Sequence, residues 1–432
     1  MAAGGLHGSS NSFRPLFFAC VEAGLLRFAL VSFGLFAGFF VAACGGSGGS
    51  VTAVPTSQPC VIAPAGPASS QTRARLGAYY FDGWSGPLTN FHFDNMVNGP
   101  YKDREPLSGW QDNSSCAIEQ QFAWAHEFGI EFFVFDWYYN VPLSSRGENL
   151  NNALQRTLSM PNRHGMQFAI MYTNAPPFAV PTANWASTID VWIGYMKDPD
   201  YVRVNGKPLL VVYSLGLLEQ ALGSSAAVSD SFNQLRTAAQ AQGLPGVYIV
   251  GGLDAAYDLS THNLNLDLSM TAADGYDAIS MYNFSVTGVS GLQPFSVLSD
   301  SGQVIWAQVA LTSPLPFIPV AIDGQDSRPV VPPESDWWAS RTPQDVTGFV
   351  SAAITWANSN PQLRPEPAPT PPLVLIEAWN ELGEDSILVP TAGDGTSYGD
   401  SLAVMLLTAP IPARNALPPA GAVPFDFKRS HR

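Results

Sequence analysis

The feature of this chain that most limits its fold is a series of eight short apolar runs that alternate with helical patterns. Each run has the length and composition of a buried strand. Strands that alternate with helices pair in parallel through crossovers, and eight of them can close into a barrel. We therefore predict a single (β/α)8 TIM barrel over residues 74–410. Its strands are predicted at Leu76–Phe81, Ile130–Phe135, Met166–Tyr172, Pro208–Tyr213, Val247–Gly251, Asp277–Tyr282, Phe317–Ile322 and Leu373–Trp379.

Helical patterns lie between most of these runs. Ser114 or Ser115 is suited to cap the first helix, and Gly129 is suited to end it. Thr342, followed three residues later by Asp345, is close to a capping box at the start of the last predicted helix. The crossover from Ser285 to Pro316 shows no clear helix. The predicted helices are Cys116–Phe128, Leu150–Leu158, Thr188–Met196, Asp230–Ala241 and Pro343–Ala357.

The N-terminal 44 residues have the pattern of a bacterial lipoprotein signal. Leu25 to Ala43 is almost continuously apolar, Arg27 lies near its start, and small residues precede Cys44, the predicted lipidation site. We expect an exported protein, anchored by its lipid in the bacterial cell envelope, at the outer membrane or cell surface. The alternative is a transmembrane anchor, since roughly 18 apolar residues can span a bilayer.

Two further segments flank the predicted barrel. Residues 45–73 are rich in Gly, Ser and Pro and read as a flexible linker, and residues 411–432 form a Pro/Ala-rich tail. If Cys44 is lipidated and Cys20 is removed with the signal, Cys60 and Cys116 remain. In an exported protein these two form either a disulfide or two unpaired thiols, and their spacing does not decide between them.

Composition excludes several classes of partner. The net charge of −15 makes nucleic acid an unfavourable ligand. We find no glycine-rich phosphate loop and no Cys/His cluster with metal-ligand spacing, so we expect neither cofactor nor metal. An acidic chain that is 12% aromatic better suits a neutral, hydroxyl-rich polysaccharide or oligosaccharide.

Polar and aromatic residues stand at or just after the ends of the predicted strands. Any one Asp or Asn there is explained as a helix cap. As a set they would surround one mouth of the barrel, where barrel enzymes bind their substrates. The candidate substrate-binding residues are Tyr80, Asp82, Trp84, Asp136, Trp137, Tyr138, Tyr172, Asn174, Tyr282, Asn283, Asp323, Trp379 and Asn380.

Two acids after the last strand are the candidate catalytic residues. Glu381 and Glu384 lie three positions apart, and paired carboxylates are what cleavage of a glycosidic bond requires. The alternative is the first turn of a helix, where acids favour the helix dipole. Glu377, within the strand, is either a structural carboxyl or a site residue deeper in the barrel.

Asn380-Glu381-Leu382-Gly383-Glu384 resembles the Asn-Glu-Trp-x-Glu signature of family 99 glycoside hydrolases, the endo-α-mannosidase type, and of related bacterial polysaccharide-processing proteins. The segments 77–84, 129–138 and 201–208 are also similar, so the resemblance runs from about residue 75 to 402. The chain departs from the pattern at Leu382, where the family usually has Trp, and at Asp385, a third acid where Gly is common.

This resemblance implies a (β/α)8 barrel without a cofactor that cleaves α-linked glycans internally and with retention. It gives Glu381 the role of assisting the sugar's own 2-hydroxyl as nucleophile, and Glu384 that of protonating the leaving oxygen and then activating water. The leading hypothesis is therefore a membrane-anchored, endo-acting glycoside hydrolase. The alternative is a non-catalytic glycan-binding lipoprotein. A glycosyltransferase fits less well, because an exported protein would not meet nucleotide-sugar donors.

Overall fold

A closed ring of eight parallel strands forms the centre of the molecule. The computed structural model describes residues 74–84, 94–139, 150–269, 271–330 and 337–408. The eight strands are β1 Arg75–Tyr80, β2 Phe132–Trp137, β3 Gln167–Tyr172, β4 Lys207–Val212, β5 Tyr248–Gly252, β6 Ala278–Ser280, β7 Val320–Ile322 and β8 Leu373–Glu377.

Strand pairing confirms the predicted TIM barrel. The strands follow the order β7-β8-β1-β2-β3-β4-β5-β6, and every neighbouring pair is parallel. A parallel bridge between Ile279 of β6 and Phe317, just before β7, closes the ring. All eight strands predicted from the apolar runs are therefore confirmed, with ends that differ by a few residues.

Strand alternation divides the side chains between the barrel interior and the outer helices. On β2, Phe132 packs against Gly77 inside the barrel, where a Cβ on Gly77 would lie 2.2 Å from the Phe132 ring. Phe133 faces the other way and packs edge-on against Phe122 of the first helix. Because successive strand residues point to opposite faces, Asp136 shares the inner face with Phe132.

In the described part of the chain, eight helices surround the ring, besides a single-turn helix at Asp94–Val97. Ser114 caps the first helix, Gly129 ends it with a φ of 88°, and Thr342 with Asp345 forms the capping box, as predicted. The helices are α1 Ser115–Phe128, α2 Asn152–Ser159, α3 Trp185–Met196, α4 Leu215–Leu222, α5 Ser225–Ala241, α6 Ser296–Thr312, α7 Pro343–Ser359 and α8 Ser397–Thr408.

The sixth crossover corrects the sequence-based prediction, because it contains α6, where no clear helix was expected. Ser301 and Gly302 occupy two buried positions of α6 and interrupt its apolar pattern, and no side chain caps its first turn. It is the fifth crossover whose described residues hold no helix. An antiparallel pair, Ala255–Asp258 with Asn263–Leu266, lies there instead.

Several predictions fall outside the described residues. These predictions concern the signal segment with Cys44, the linker with Cys60 and the tail 411–432. Cys116 is disulfide-bonded, and the three other cysteines of the chain lie outside the described part, so the Cys60–Cys116 pairing stays a prediction. Among the described helices, none has the length and apolar character needed to cross a bilayer.

The contact between α6 and α7 yields a stability prediction. A Cβ at Gly302 would lie 2.6 Å from the Phe349 ring, whereas one at the exposed Gly348 of α7 would meet nothing within 4 Å. We expect Gly302→Ala to lower the free energy of unfolding by about 1–3 kcal/mol through overpacking. Gly348→Ala, the matched control, should raise it by about 0.5–1 kcal/mol. Urea denaturation measures both, and equal effects of the two substitutions would contradict this packing.

Candidate active site

The centre of the candidate site is a buried tyrosine hydroxyl between two carboxyl groups. The hydroxyl of Tyr282, two residues after β6, lies 2.7 Å from Glu381 Oε1 and 3.2 Å from Asp136 Oδ2. The rings of Tyr79 and Tyr213 pack against the Tyr282 ring at centroid distances of 4.9 and 5.6 Å. Side chains from five strands or strand ends therefore meet at the carboxyl end of the barrel.

A tight hairpin after β8 brings the two candidate catalytic acids together. Asn380–Glu381 pairs antiparallel with Ser386–Ile387, and the Glu384 amide donates to the Glu381 carbonyl at 3.0 Å. Glu381 is buried, while Glu384 is half-buried. The pair lies in this hairpin and not in the first turn of a helix, so the helix-dipole explanation does not apply to it.

Burial and mutual repulsion set the electrostatics of these acids. Burial raises the pKa of Glu381 well above its usual value, and the neighbouring Glu384 and Asp136 raise it further. Burial also raises the pKa of Asp136, with Glu384 adding to the effect and the Tyr282 hydroxyl opposing it. In the described part of the chain, neither carboxyl has an ion pair with a basic side chain. Burial and like charge therefore disfavour two ionised carboxylates side by side in this cluster.

Two arginines, Arg104, which is buried, and Arg341, which is half-buried, hold the hairpin from outside the carboxyl cluster. Asp385, with φ of 63°, lies 3.5 Å from Arg104 and 3.4 Å from Arg341. Arg104 also donates to the Leu382 carbonyl at 3.0 Å, and Arg341 to the Ile387 carbonyl at 2.9 Å. The third acid of the sequence motif therefore neutralises arginines that fix the loop.

Three asparagine side chains bond the backbone at the carboxyl ends of the strands. Asn380 accepts from the Phe81 amide and donates to the Phe81 carbonyl, both at 2.8 Å. Asn174 makes the same pair of bonds with the Ser214 backbone, and Asn151 with that of Tyr138. Each amide replaces a backbone partner where strand pairing has ended. Asn174 and Asn380 therefore shape the mouth of the barrel through its backbone.

Several other candidate binding residues face the helices. Trp137 packs on Tyr172 and on Trp192 of α3, while Trp379 packs on Phe133 and donates to Gln121 of α1. Three more candidates lie apart from the Tyr282 contacts. Tyr80 donates to Asp112, Trp84 is buried and donates to the Asn380 carbonyl, and Asn283 is half-buried.

Tyr138 and Asp82 lie beside the central cluster. Within the described residues, the Tyr138 hydroxyl and Asp82 Oδ1 are buried without a hydrogen-bond partner. Burial raises the pKa of Asp82, and the nearby Asp112 raises it further; Asp112 itself has a pKa raised by burial to about 6. The structure thus groups Asp136, Tyr138, Tyr282, Glu381 and Glu384, with Asp82 adjacent.

Two further buried acids lie on the β7–β8 side. Glu377 accepts a hydrogen bond from the Ser386 hydroxyl at 3.1 Å. Burial raises the pKa of Glu377, and the nearby Glu384 and Glu381 raise it further. Asp323 accepts from the Ala378 amide at 3.0 Å. Among the described residues, no group of His, Cys, Asp and Glu has an arrangement that could hold a metal ion.

The candidate site residues did not include Tyr79, Tyr213, Asn151, Arg104 or Arg341, although Tyr79 and Tyr213 are strand-end residues of the kind that the candidate set contains. Strand alternation offers a signal for Tyr79, since it shares the inner face of β1 with Gly77. Tyr213 is the last residue of the predicted fourth strand, as the candidate Tyr282 is of the sixth. The arginines lie in loops, and no local pattern links them to Asp385.

The fold is a (β/α)8 barrel of the kind found in glycoside hydrolases. It superimposes on the GH99 endo-alpha-mannosidase from Bacteroides thetaiotaomicron with a TM-score of 0.52 and 13% identity, covering 77% of this chain and 95% of that one. The same enzyme in complex with bis-tris propane gives a TM-score of 0.53. A glycoside hydrolase-like protein gives 0.52 with 15% identity, covering 80% and 97%.

The chain belongs to the family described as glycosyltransferase WbsX, which matches residues 179–402, just over half of its length. No curated protein matches it. The resemblance to family 99 noted in the sequence is confirmed in the fold, and the family match includes the Glu381–Glu384 hairpin and Tyr282.

The Asp323 carboxyl allows a prediction of how the free energy of unfolding depends on pH. Burial raises its pKa to about 8, against about 3.9 in an unfolded chain. Its stabilising contribution is therefore complete below pH ~4 and is lost as the pH rises towards ~8. Asp323→Asn cannot titrate but keeps an acceptor for the Ala378 amide. Over this window the unfolding free energy of the wild type should fall relative to the variant, by up to about 1.4 kcal/mol per pH unit.

Urea denaturation at several pH values between about 5 and 8 tests this prediction. The quantity compared is the difference in unfolding free energy between wild type and Asp323→Asn, because the other buried acids contribute equally to both proteins. Parallel pH dependences would show that Asp323 is ionised in the folded state.

Proposed function

We propose that this protein is a glycoside hydrolase that cleaves α-linked glycans with retention, and that it acts within the glycan chain. The observation that carries the proposal is the placement of Glu381 and Glu384 in one hairpin at the carboxyl end of the barrel, with Tyr282 bonded to Glu381. Retention and internal cleavage rest on the resemblance to family 99.

The different environments of the two acids support different roles. Glu381 is buried and accepts from Tyr282, and its raised pKa makes its ionised form a stronger base towards a sugar 2-hydroxyl. Glu384 is half-buried, so it remains accessible to a leaving oxygen and to water. A buried base beside an accessible acid matches the roles that the resemblance gives to this pair.

Leu382 bears on the specificity of the pocket. It stands where family 99 usually has Trp, and it is completely buried in the apolar core. A residue with no exposed surface does not line the pocket, so the wall that a Trp would provide is absent here. We therefore assign the substrate class as α-linked glycans without naming mannose.

Transfer from a nucleotide sugar is the second candidate, because the family is described as a glycosyltransferase. A diphosphate needs positive charge, and in the described part of the chain Arg104 and Arg341 already pair with Asp326, Asp385 and Asp394. Asp136, Glu381 and Glu384 would repel a diphosphate at the mouth. Hydrolysis therefore fits the charge distribution better.

A non-catalytic glycan-binding protein would use the same mouth. Buried acids with raised pKa are costly to keep where they do no chemistry. The Glu381–Tyr282–Asp136 arrangement therefore favours an enzyme over a binding protein.

The first test is an activity screen against α-mannans, α-glucans and bacterial exopolysaccharides. We expect the wild type to release sugars, and Glu381→Gln and Glu384→Gln each to lower the rate by about 10²–10⁴-fold, since each removes a proton-transfer group. Glu127→Gln on the outer face of α1 is the charge-matched control.

Three results would contradict this proposal. Near-normal turnover by Glu384→Gln would show that Glu384 is not the general acid. Turnover that requires an added nucleotide sugar would favour a transferase. Binding of one glycan by wild type and variants without cleavage would favour the binding protein.

We also propose that the protein is exported and held in the cell envelope by a lipid on Cys44, on the strength of the signal pattern in the sequence. Cys44→Ser should move the protein from the membrane fraction to the soluble fraction, because a single residue carries the lipid. Fractionation with immunodetection measures this, and persistent membrane association would favour a transmembrane anchor.

A further inference from the structure

One buried hydroxyl contacts two buried carboxyl groups, and it has only one proton to donate. The Tyr282 hydroxyl lies 2.7 Å from Glu381 and 3.2 Å from Asp136. If both carboxyls were ionised, one of these contacts would join two acceptors. Both contacts are hydrogen bonds only when one carboxyl carries a proton and donates it to the Tyr282 oxygen.

We propose that Asp136 carries this proton and acts as a positioning residue, directing the Tyr282 proton onto an ionised Glu381. The inference rests on the proposed function, in which Glu381 is the base. Asp136 donates to the Tyr282 oxygen, and Tyr282 donates to the Glu381 carboxylate. The active form of the base is thereby fixed before a substrate binds.

The two distances favour Asp136 as the carboxyl that holds the proton. Hydrogen bonds from a hydroxyl to an ionised carboxylate are short, about 2.5–2.7 Å, while bonds between neutral groups are longer. The 2.7 Å contact is the one to Glu381. Asp136 Oδ1 also has no partner among the described residues, so an ionised Asp136 would be poorly stabilised.

The proton balance of the cluster has two forms. In one, Asp136 is a carboxylic acid and Glu381 a carboxylate. In the other, Asp136 has passed its proton to the Tyr282 oxygen while Tyr282 has passed its own to Glu381, so that Asp136 is the carboxylate. No proton or charge is gained or lost between them. The proposal is that the first form is the resting state.

The groups around this cluster add negative charge. Glu384 faces both Asp136 and Glu381, Glu377 faces Tyr282 and Glu381, and Asp82 faces Tyr138. No basic side chain in the described part of the chain contacts Asp136 or Glu381. A second negative charge on Asp136 would therefore be unfavourable, which supports a single shared proton.

Infrared difference spectroscopy of the full-length protein near neutral pH tests the proposal without any substrate. Relative to wild type, Asp136→Asn should lose the carbonyl stretch of a protonated carboxylic acid. Glu381→Gln should instead lose the stretch of an ionised carboxylate. Tyr138→Phe is the matched control, because its hydroxyl lies beside the same cluster without a bond, and both signals should stay. The reverse assignment, or loss of a carboxylate signal from both variants, would overturn the proposal.

A pair of substitutions separates positioning from packing. Asparagine at 136 keeps an N–H that donates permanently to Tyr282, whereas alanine does not. On a glycan cleaved by the wild type, Asp136→Asn should stay within about tenfold of the wild-type kcat, and Asp136→Ala should lose about 10²-fold or more. Equal losses in two folded variants would overturn the proposal. Because the spectra need no turnover, failure of the proposed hydrolase function alone would leave their result intact.

Discussion

Closure of the eight-stranded ring is the constraint on which the site depends. Once Ile279 bridges to Phe317, every second side chain of each strand must enter one shared interior. Asp136 reaches the centre of the mouth in this way, while Trp137, one residue later, is directed onto α3. Where regular pairing stops, the amides of Asn174 and Asn380 bond the backbone that follows the neighbouring strand. The positions of the carboxyl groups thus follow from backbone geometry.

Charge is balanced in two different ways on the two sides of the β8 hairpin. On the outer side, Asp385 is paired with Arg104 and Arg341, which holds the loop. On the inner side, Glu381 and Asp136 have no basic partner among the described residues and instead share a tyrosine hydroxyl. The ion pairs fix the position of the loop, whereas carboxyl groups that share a hydroxyl can exchange protons through it. The same loop therefore combines a rigid support with a reactive face.

The barrel could be predicted from the sequence because each signal for it lies within a short stretch of residues. Each apolar run, and each cap such as Ser114 or Thr342, is visible within a few residues. Helix α6 was missed because Ser301 and Gly302 lie at buried positions, where only contact with Phe349 and Phe284 explains small side chains.

The site was predicted in part for a similar reason. Glu381, Glu384 and Asp136 were found as strand-end acids, but Trp137 and Trp379 were grouped with them although they face the helices. The pairing of Arg104 and Arg341 with Asp385 joins loops far apart in the chain, and no local pattern contains it.

A crystal structure of the Glu384→Gln variant with an α-linked glycan would show directly whether Glu381 and Glu384 act on a glycosidic bond. We expect a sugar 2-hydroxyl within hydrogen-bonding distance of Glu381 and the glycosidic oxygen beside residue 384. A glycan bound elsewhere on the barrel, with neither residue in contact with it, would contradict the proposed roles.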